Sequence, residues 1–209
     1  VASAIAKDDF ERAATLLVEA GEGMNPLLGG LLGGWIEVGR ENFAAAQERF
    51  DALDANDTLR VYGQYHKALA LAFAGDFVTA ASIMEGDERG PLHVNLGALV
   101  ARAQMLAQID REAEALEILD SALNTSIPSE LVLELRDRIA SGEEVPFTAV
   151  TSARAGAAEA YFTLAEALAA NESERIALVH ARLAVAIDPD AAEPRLLAAE
   201  ILELQQQYA

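Results

Sequence analysis

Apolar positions along the chain are mostly alanine and leucine grouped in helix-length segments, and polar residues mark the breaks between these segments. The alternation of β-branched residues that strands need is scarce, and aromatic residues make up only 6% of the chain. The pattern therefore predicts an all-α protein. The predicted helices are 8–20, 25–39, 42–55, 58–74, 77–85, 92–108, 111–124, 129–141, 152–170, 173–187 and 191–207.

The chain repeats itself with a period close to 34 residues. Phe10, Phe43 and Phe77 follow one another at intervals of 33 and 34 residues in the segments KDDFERAATLL, RENFAAAQERF and AGDFVTAASIM. A small residue recurs three positions after each of these anchors and in two later copies, and another recurs nine positions before the anchors. The two series are Ala13, Ala46, Ala80, Ala115 and Ala177, and Gly34, Ala68, Ala103, Ala165 and Ala199.

This period, with its paired small positions, resembles the tetratricopeptide repeat (TPR), a helix-turn-helix unit. The resemblance is strongest in AAEAYFTLAEALAANESERIALVHARLAVAIDPD. It implies an α-solenoid in which antiparallel helix pairs stack into a right-handed superhelix. Two helices approach closely where both carry small side chains, so Gly34 with Ala46 and Ala68 with Ala80 are the expected crossings. The residues at motif positions are Tyr161, Leu164, Ala165, Leu168, Ala177, Ala184 and Pro189.

The repeat divides the chain into three parts of one continuous solenoid domain. TPR-like repeats are expected over 1–126, with the first repeat incomplete, and again over 158–209 with a final helix. Between them, 127–157 breaks the period with an irregular helix and an inserted loop, GEEVPFTAVTSARAG. We interpret this interval as an inserted turn or a change in the direction of the superhelix.

The order of segments is similar to that of bacterial multi-repeat TPR proteins. The chain begins without Met, so we expect it to be an internal fragment of a larger protein. That resemblance implies a parent protein in the periplasm or cell envelope if it carries an export signal, and in the cytoplasm otherwise. The localisation stays open between these two.

Charge and composition narrow the classes of partner. The chain carries 34 acidic against 15 basic residues, a net charge of -19, which repels the phosphate backbone of nucleic acids. The absence of cysteine excludes disulfides, thiolate zinc sites and cysteine nucleophiles. The sequence contains no run of 18 or more apolar residues, so no membrane-spanning helix is predicted. The expected partner is therefore a protein or peptide of unknown identity, and the oligomeric state stays open.

Neither a catalytic site, a metal site nor a cofactor site is predicted. His66, His93 and His180 form no ligand pair, no carboxylate cluster has calcium-loop spacing, and no serine lies in a G-x-S-x-G turn. The glycine-rich stretch LLGGLLGGW, residues 27–35, lacks the spacing and the basic partner of a phosphate loop. We interpret it as a close-packed helix with a glycine side and a leucine and tryptophan side.

We therefore expect a non-enzymatic protein-interaction scaffold that binds its partner through the concave face of the superhelix. Large aromatic side chains commonly anchor such interfaces. The alternative for each candidate is packing against neighbouring repeats. An alternative for the whole chain is the helical, non-catalytic portion of a larger cell-envelope enzyme or assembly factor. The partner-binding candidates are Leu31, Trp35, Tyr62, Tyr65, His66, Leu69, Phe162 and Glu166.

Overall fold

The fold is all-helical in the part of the chain that the computed structural model describes, which is residues 1–87, 92, 94–125, 129–171 and 173–205. Two 3-10 turns, Gly21–Gly23 and Ala52–Ala55, follow α2 and α4. The helices are α1 (Ala2–Ile5), α2 (Phe10–Ala20), α3 (Pro26–Gly39), α4 (Phe43–Asp51), α5 (Asp57–Phe73), α6 (Phe77–Glu85), α7 (Leu96–Ala107), α8 (Glu112–Thr125), α9 (Glu130–Ala140), α10 (Ala153–Ala169), α11 (Glu174–Ile187) and α12 (Glu193–Leu204).

The predicted helices are confirmed, with small differences at their ends. The range 42–55 is α4 followed by a 3-10 turn, and the range 92–108 begins only at Leu96. The one described α-helix without a sequence prediction is α1, whose four residues are too few for a periodic pattern. The predicted end of the last helix, 206–207, lies outside the described residues.

The phenylalanine anchors mark helix starts because each follows a residue that caps the helix. Asp9 accepts a hydrogen bond from the Arg12 backbone N–H at 3.0 Å, and Asp76 accepts one from Thr79 at 3.1 Å. Asn42 caps α4 in the same way. Such a cap satisfies one of the free N–H groups in the first helical turn. The recurring Asp-Phe and Asn-Phe pairs are thus repeated helix starts.

The helix ends before these caps also repeat. Residues 8, 41, 75, 110 and 142 all have positive φ, at intervals of 33, 34, 35 and 32 residues. The next residue's N–H bonds to a carbonyl five positions earlier, as in Asn42 to Glu37 at 2.9 Å and Asp76 to Leu71 at 2.9 Å. A left-handed residue followed by such a bond is the Schellman ending. The period seen in the sequence is therefore a repeated helix-turn-helix backbone.

The recurring small residues lie in the core. All five that follow the anchors are buried, and so are Gly34, Ala68, Ala103 and Ala165. Ala199 is the exception, because α12 turns its neighbour Ala198 inward and leaves Ala199 exposed. In α10, α11 and α12 the buried alanines 165, 181 and 198 form a cluster against which Leu178 and Leu197 pack. Small side chains there allow the helices to approach closely.

The chain divides into two compact units. Unit 1 consists of Val1–His66 and Ser152–Ala209, and unit 2 of Lys67–Thr151. Within unit 1, α3 packs against α4 and also against α10, and α1 packs against α11. In a linear repeat array each repeat contacts only its neighbours along the chain. The contact of α3 with α10 joins helices that are far apart in sequence, and such an array would not make it. The continuous TPR superhelix over 1–126, 127–157 and 158–209 stays a prediction.

Unit 2 contains most of the interval where the sequence period breaks. Helix α7 packs against α6 and α8, and α8 packs against α9. After α9 the chain runs without regular structure, and two amides of α7 hold it. The Gln104 side chain donates to the Thr148 hydroxyl at 2.9 Å and accepts from its backbone N–H at 3.0 Å. Gln108 donates to the Val145 carbonyl at 2.6 Å. The inserted loop predicted from the sequence is therefore an ordered segment along α7.

Candidate functional site

Most of the predicted partner-binding residues lie inside the protein. Tyr62 and Glu166 are the two that keep partial exposure. This burial agrees with the alternative that the residues pack against neighbouring helices, and their role in binding a partner stays a prediction. The buried ones are Leu31, Trp35, Tyr65, His66, Leu69 and Phe162.

Trp35 packs between helices of unit 1. Its ring lies edge-on to Phe50, with ring centroids 5.9 Å apart, and is fully buried. On another side it meets Gly156 of α10, where an added Cβ would overlap the indole ring. The face of α3 that carries Trp35 is therefore covered by α10 of the same chain, and Gly156 is the position that lets α10 come so close.

Trp35 also begins a buried chain of hydrogen bonds. Its Nε1–H donates to His66 Nδ1 at 2.8 Å, and His66 Nε2 lies 3.2 Å from the Thr163 hydroxyl oxygen. Indole N–H is only a donor, so His66 Nδ1 must accept and Nε2 must carry the proton. His66 is therefore the neutral tautomer that donates to Thr163. Burial lowers the pKa of His66 to about 3, which keeps it neutral.

The same polar cluster continues to Tyr65 and Glu159. The Tyr65 hydroxyl donates to Glu159 Oε1 at 3.1 Å. Burial raises the pKa of Glu159 to about 8, and the neighbouring carboxylates of Glu166 and Glu193 add to this, whereas hydrogen bonds from Tyr65 and Thr163 oppose it. Burial also raises the pKa of Tyr65 well above its usual value. At neutral pH His66 is therefore a neutral imidazole, and Tyr65 and Glu159 keep their protons. The cluster carries no net charge.

The chemistry open to this cluster is limited. Both ring nitrogens of His66 are used in hydrogen bonds, so the ring has no free position for a substrate or a metal. His180 stacks on Tyr161 with ring centroids 5.9 Å apart, and His93 lies outside the described residues. Among the described residues, no three His, Asp or Glu side chains are grouped to hold a metal ion. The cluster joins α3, α5 and α10 rather than presenting a reactive group.

An open groove lies elsewhere in unit 1, between α2, α3 and α4. Its volume is about 830 Å³. The wall formed by α2 carries Leu17 and Val18, and Val18 is 78% exposed. Met24 and Pro26 line it near the start of α3, and Glu37 and Arg40 line it near the end of α3. A concave apolar surface of this size is in the range of ligand and peptide pockets. We refer to it as the α2–α4 groove.

The glycines of α3 have two different roles. Gly30 and Gly34 face Leu53 and Phe50, and an added Cβ at either position would overlap those side chains. Gly29 and Gly33 line the α2–α4 groove, and a Cβ there would meet its nearest atoms at 3.7 and 3.5 Å, which is ordinary contact. Gly34 therefore allows close helix packing, Gly29 and Gly33 form part of the groove floor, and Gly30 both packs against Leu53 and lines the groove.

An ion network closes the charged end of the groove. Arg40 Nε lies 2.8 Å from Glu11 Oε1, and Arg40 Nη1 lies 3.1 Å from Glu37 Oε1. Glu37 is a buried acid within the largely apolar helix α3. Arg40 and the Asn42 amide, 3.4 Å from Glu37 Oε2, supply its polar partners. The buried Glu37 carboxylate is thus satisfied by neighbouring polar groups.

Sequence reasoning missed Gly156, Glu159 and Thr163. The signal that existed was a pair of polar residues, Glu159 and Thr163, one helical turn apart within the mostly apolar stretch AGAAEAYFTLA. Polar residues on a helix face that is apolar elsewhere point to a buried polar contact. Their partners could not be predicted, because Tyr65 and His66 lie 94 and 97 positions away in sequence.

Comparison with known proteins gives no relative for this chain. No protein-family model, curated protein or solved structure matches it significantly. The resemblance to the tetratricopeptide repeat therefore depends on the repeats within the chain itself. In the described residues, every helix is too short or too polar to cross a lipid bilayer.

Proposed function

We propose that this chain is a non-enzymatic helical scaffold, built from TPR-like helix pairs, that binds a segment of a partner protein. The observation that carries the proposal is the open, partly apolar α2–α4 groove with Val18 exposed on its wall. The recurring caps and Schellman endings support the repeat architecture. Because Trp35 and Tyr65 are packed inside unit 1, we place the partner in the α2–α4 groove instead of against these rings.

The charges around the groove indicate the chemistry of the partner segment. Glu19 is an exposed acid on the α2 edge, Glu11 on the same edge is paired with Arg40, and Arg49 lies on the α4 side. Arg40 is already paired with two carboxylates. The whole chain carries a net charge of -19, which favours encounter with basic partners. The segment that fits is an amphipathic helix with an apolar side in the groove and basic residues along α2.

A pair of model peptides tests this proposal. One is an 18-residue amphipathic helix of leucine and lysine, and the other has the same composition in an order without an apolar face. We expect the amphipathic peptide to shift the backbone amide NMR signals of Val18, Gly29 and Gly33, and the scrambled peptide to bind more weakly at physiological salt. Salt screens the general attraction between an acidic protein and a basic peptide, so the remaining difference reports the groove.

The Val18→Arg variant locates the binding. A cation on the groove wall repels the lysines and removes apolar contact, so we expect affinity to fall about tenfold. Val78→Arg is the matched control, because Val78 is also an exposed helical valine, 67% exposed, but lies on α6. Equal binding of both peptides, or equal loss in both variants, would contradict the proposed groove.

A further inference from the structure

Helix α11 in unit 1 has an outer face that is both basic and apolar. Its inner side is buried through three alanines and Ile187. The opposite side carries Ile176 and Val179, each 55% exposed, and the exposed residues Arg175 and Arg182. These four positions follow the helical spacing of three to four residues, so they form one continuous surface. We refer to this surface as the α11 face.

The α11 face stands out because the chain as a whole is strongly acidic, with a net charge of -19. The single acid of α11, Glu174, is its first residue and is half-buried. Arg40 and Arg111 pair with carboxylates of other helices. The described part of the chain provides no such ion pair for Arg175 or Arg182. Arginine beside exposed apolar side chains is a composition that protein interfaces favour.

Helix α9 in unit 2 has an outer face of the opposite charge. Its inner side is buried through three apolar residues. Glu130, Glu134 and Asp137 lie on the exposed side at helical spacing. Leu131 and Leu133, which are 46% and 42% exposed, flank these acids. We refer to this acidic surface with apolar edges as the α9 face.

The charges of the two faces are spaced alike. Arg175 and Arg182 are seven residues apart, and so are Glu130 and Asp137. A helix rises 1.5 Å per residue, so each pair spans about 10 Å along its axis. When the two helices lie side by side, both arginines can therefore meet an acid. The exposed Ile and Val side chains of α11 then lie beside the exposed leucines of α9.

We propose that the α11 face of one chain docks on the α9 face of a second copy of the same chain. The contact brings opposite charges together and removes exposed apolar side chains from water. The net charge repels two copies at long range, but at about 0.15 M salt the screening length is only roughly 8 Å. A contact between single helix faces is small, so we expect weak, reversible association. Neither face lines the α2–α4 groove, so the inference does not depend on the proposed scaffold function.

Sedimentation equilibrium of the full chain tests whether copies associate. We expect the average mass at about 0.15 M salt to rise above that of one chain as the concentration increases. A mass that stays at that of one chain up to the limit of solubility would overturn the proposal.

Reversing the charges of each face separately locates the contact. One variant carries Arg175→Glu with Arg182→Glu, and the other carries Glu130→Arg with Glu134→Arg. Asp137 is kept because its carboxylate lies 3.3 Å from Arg136 Nη1. Each variant alone sets like charges against each other, so we expect its self-association to weaken about tenfold or more. Association as strong as that of the unchanged chain in either variant would overturn the proposal.

An equal mixture of the two variants distinguishes the contact from a general loss of structure. The acidic α11 face of the first variant now complements the basic α9 face of the second, so we expect association to return. The control is Lys7→Glu with Arg12→Glu, which changes the net charge as much as the α11 variant does, at exposed positions outside both faces. It should associate nearly as well as the unchanged chain. A mixture that stays dissociated, or a control that associates as poorly as the α11 variant, would refute the docking of α11 on α9.

Discussion

At the scale of single residues, His66 and Glu159 give unit 1 two opposite pH dependences. The folded-state pKa of His66, about 3, lies below the ordinary 6.5, so the unfolded chain binds more protons between these values and stability rises with pH there. The folded-state pKa of Glu159, about 8, lies above the ordinary 4.5, so the folded chain binds more protons in that window and stability falls as pH rises. Together these two groups favour folding most at mildly acidic pH.

The Glu159→Gln variant tests the second of these dependences. Glutamine keeps an oxygen that accepts from Tyr65 but cannot ionise, so we expect the variant to be more stable than the parent chain at pH near 9. The difference should shrink towards pH near 5, where Glu159 is protonated in the folded state. Urea unfolding across this range measures it. Glu48→Gln, an exposed acid on α4, is the control, and the same pH profile in both variants would refute the assignment.

At the scale of elements, α3 shows how packing rescues a helix with poor intrinsic stability. Each glycine inside a helix costs about 0.5–1 kcal/mol relative to alanine, and α3 contains Gly29, Gly30, Gly33 and Gly34. The other side of the helix is buried through Leu31, Leu32 and Trp35. Because a glycine-rich helix is marginal alone, contacts with α4 and α10 stabilise it.

Two substitutions on α3 separate the packed glycines from the open ones. Gly34→Leu drives a large side chain into the Phe50 ring, and overpacking of this kind costs about 1–3 kcal/mol or more. Gly29→Ala adds a methyl group at ordinary contact distance from Met24, and the higher helix propensity of alanine should add up to about 1 kcal/mol of stability. Thermal melting compares the two variants. Equal melting temperatures would show that the register of α3 is wrong.

The helices themselves were predictable because their signals are local. Caps such as Asp9 and Asp76 precede the phenylalanine anchors, so the starts of α2 and α6 could be predicted within two residues. The start of α7 at Leu96 was predicted four residues too early, because Leu92 continues the apolar pattern without being helical. Local sequence signals of this kind say nothing about which helices then pack together.

At the scale of the whole molecule, the surroundings of the predicted partner-binding aromatic residues could not be read from the sequence. Trp35 and Tyr65 were expected on a partner-binding face of the first helices, and both are buried. The reason is that α10, which belongs to the end of the chain, joins the beginning in unit 1. A period of 34 residues predicts contacts between helices that follow one another in the sequence. It therefore does not predict the contact between α3 and α10.

Because unit 1 is made from both ends of the chain, removal of Ser152–Ala209 should expose Trp35. Deletion takes away α10, and with it Gly156 and Thr163, which cover Trp35 and His66. Trp35 is the single tryptophan, so its fluorescence maximum should move to longer wavelength and iodide should quench it more strongly than in the full chain. A chain that ends at Asp190 keeps α10 and α11 and lacks only α12, so its emission should stay close to that of the full chain. Unchanged emission after the larger deletion would mean that α10 does not cover the tryptophan.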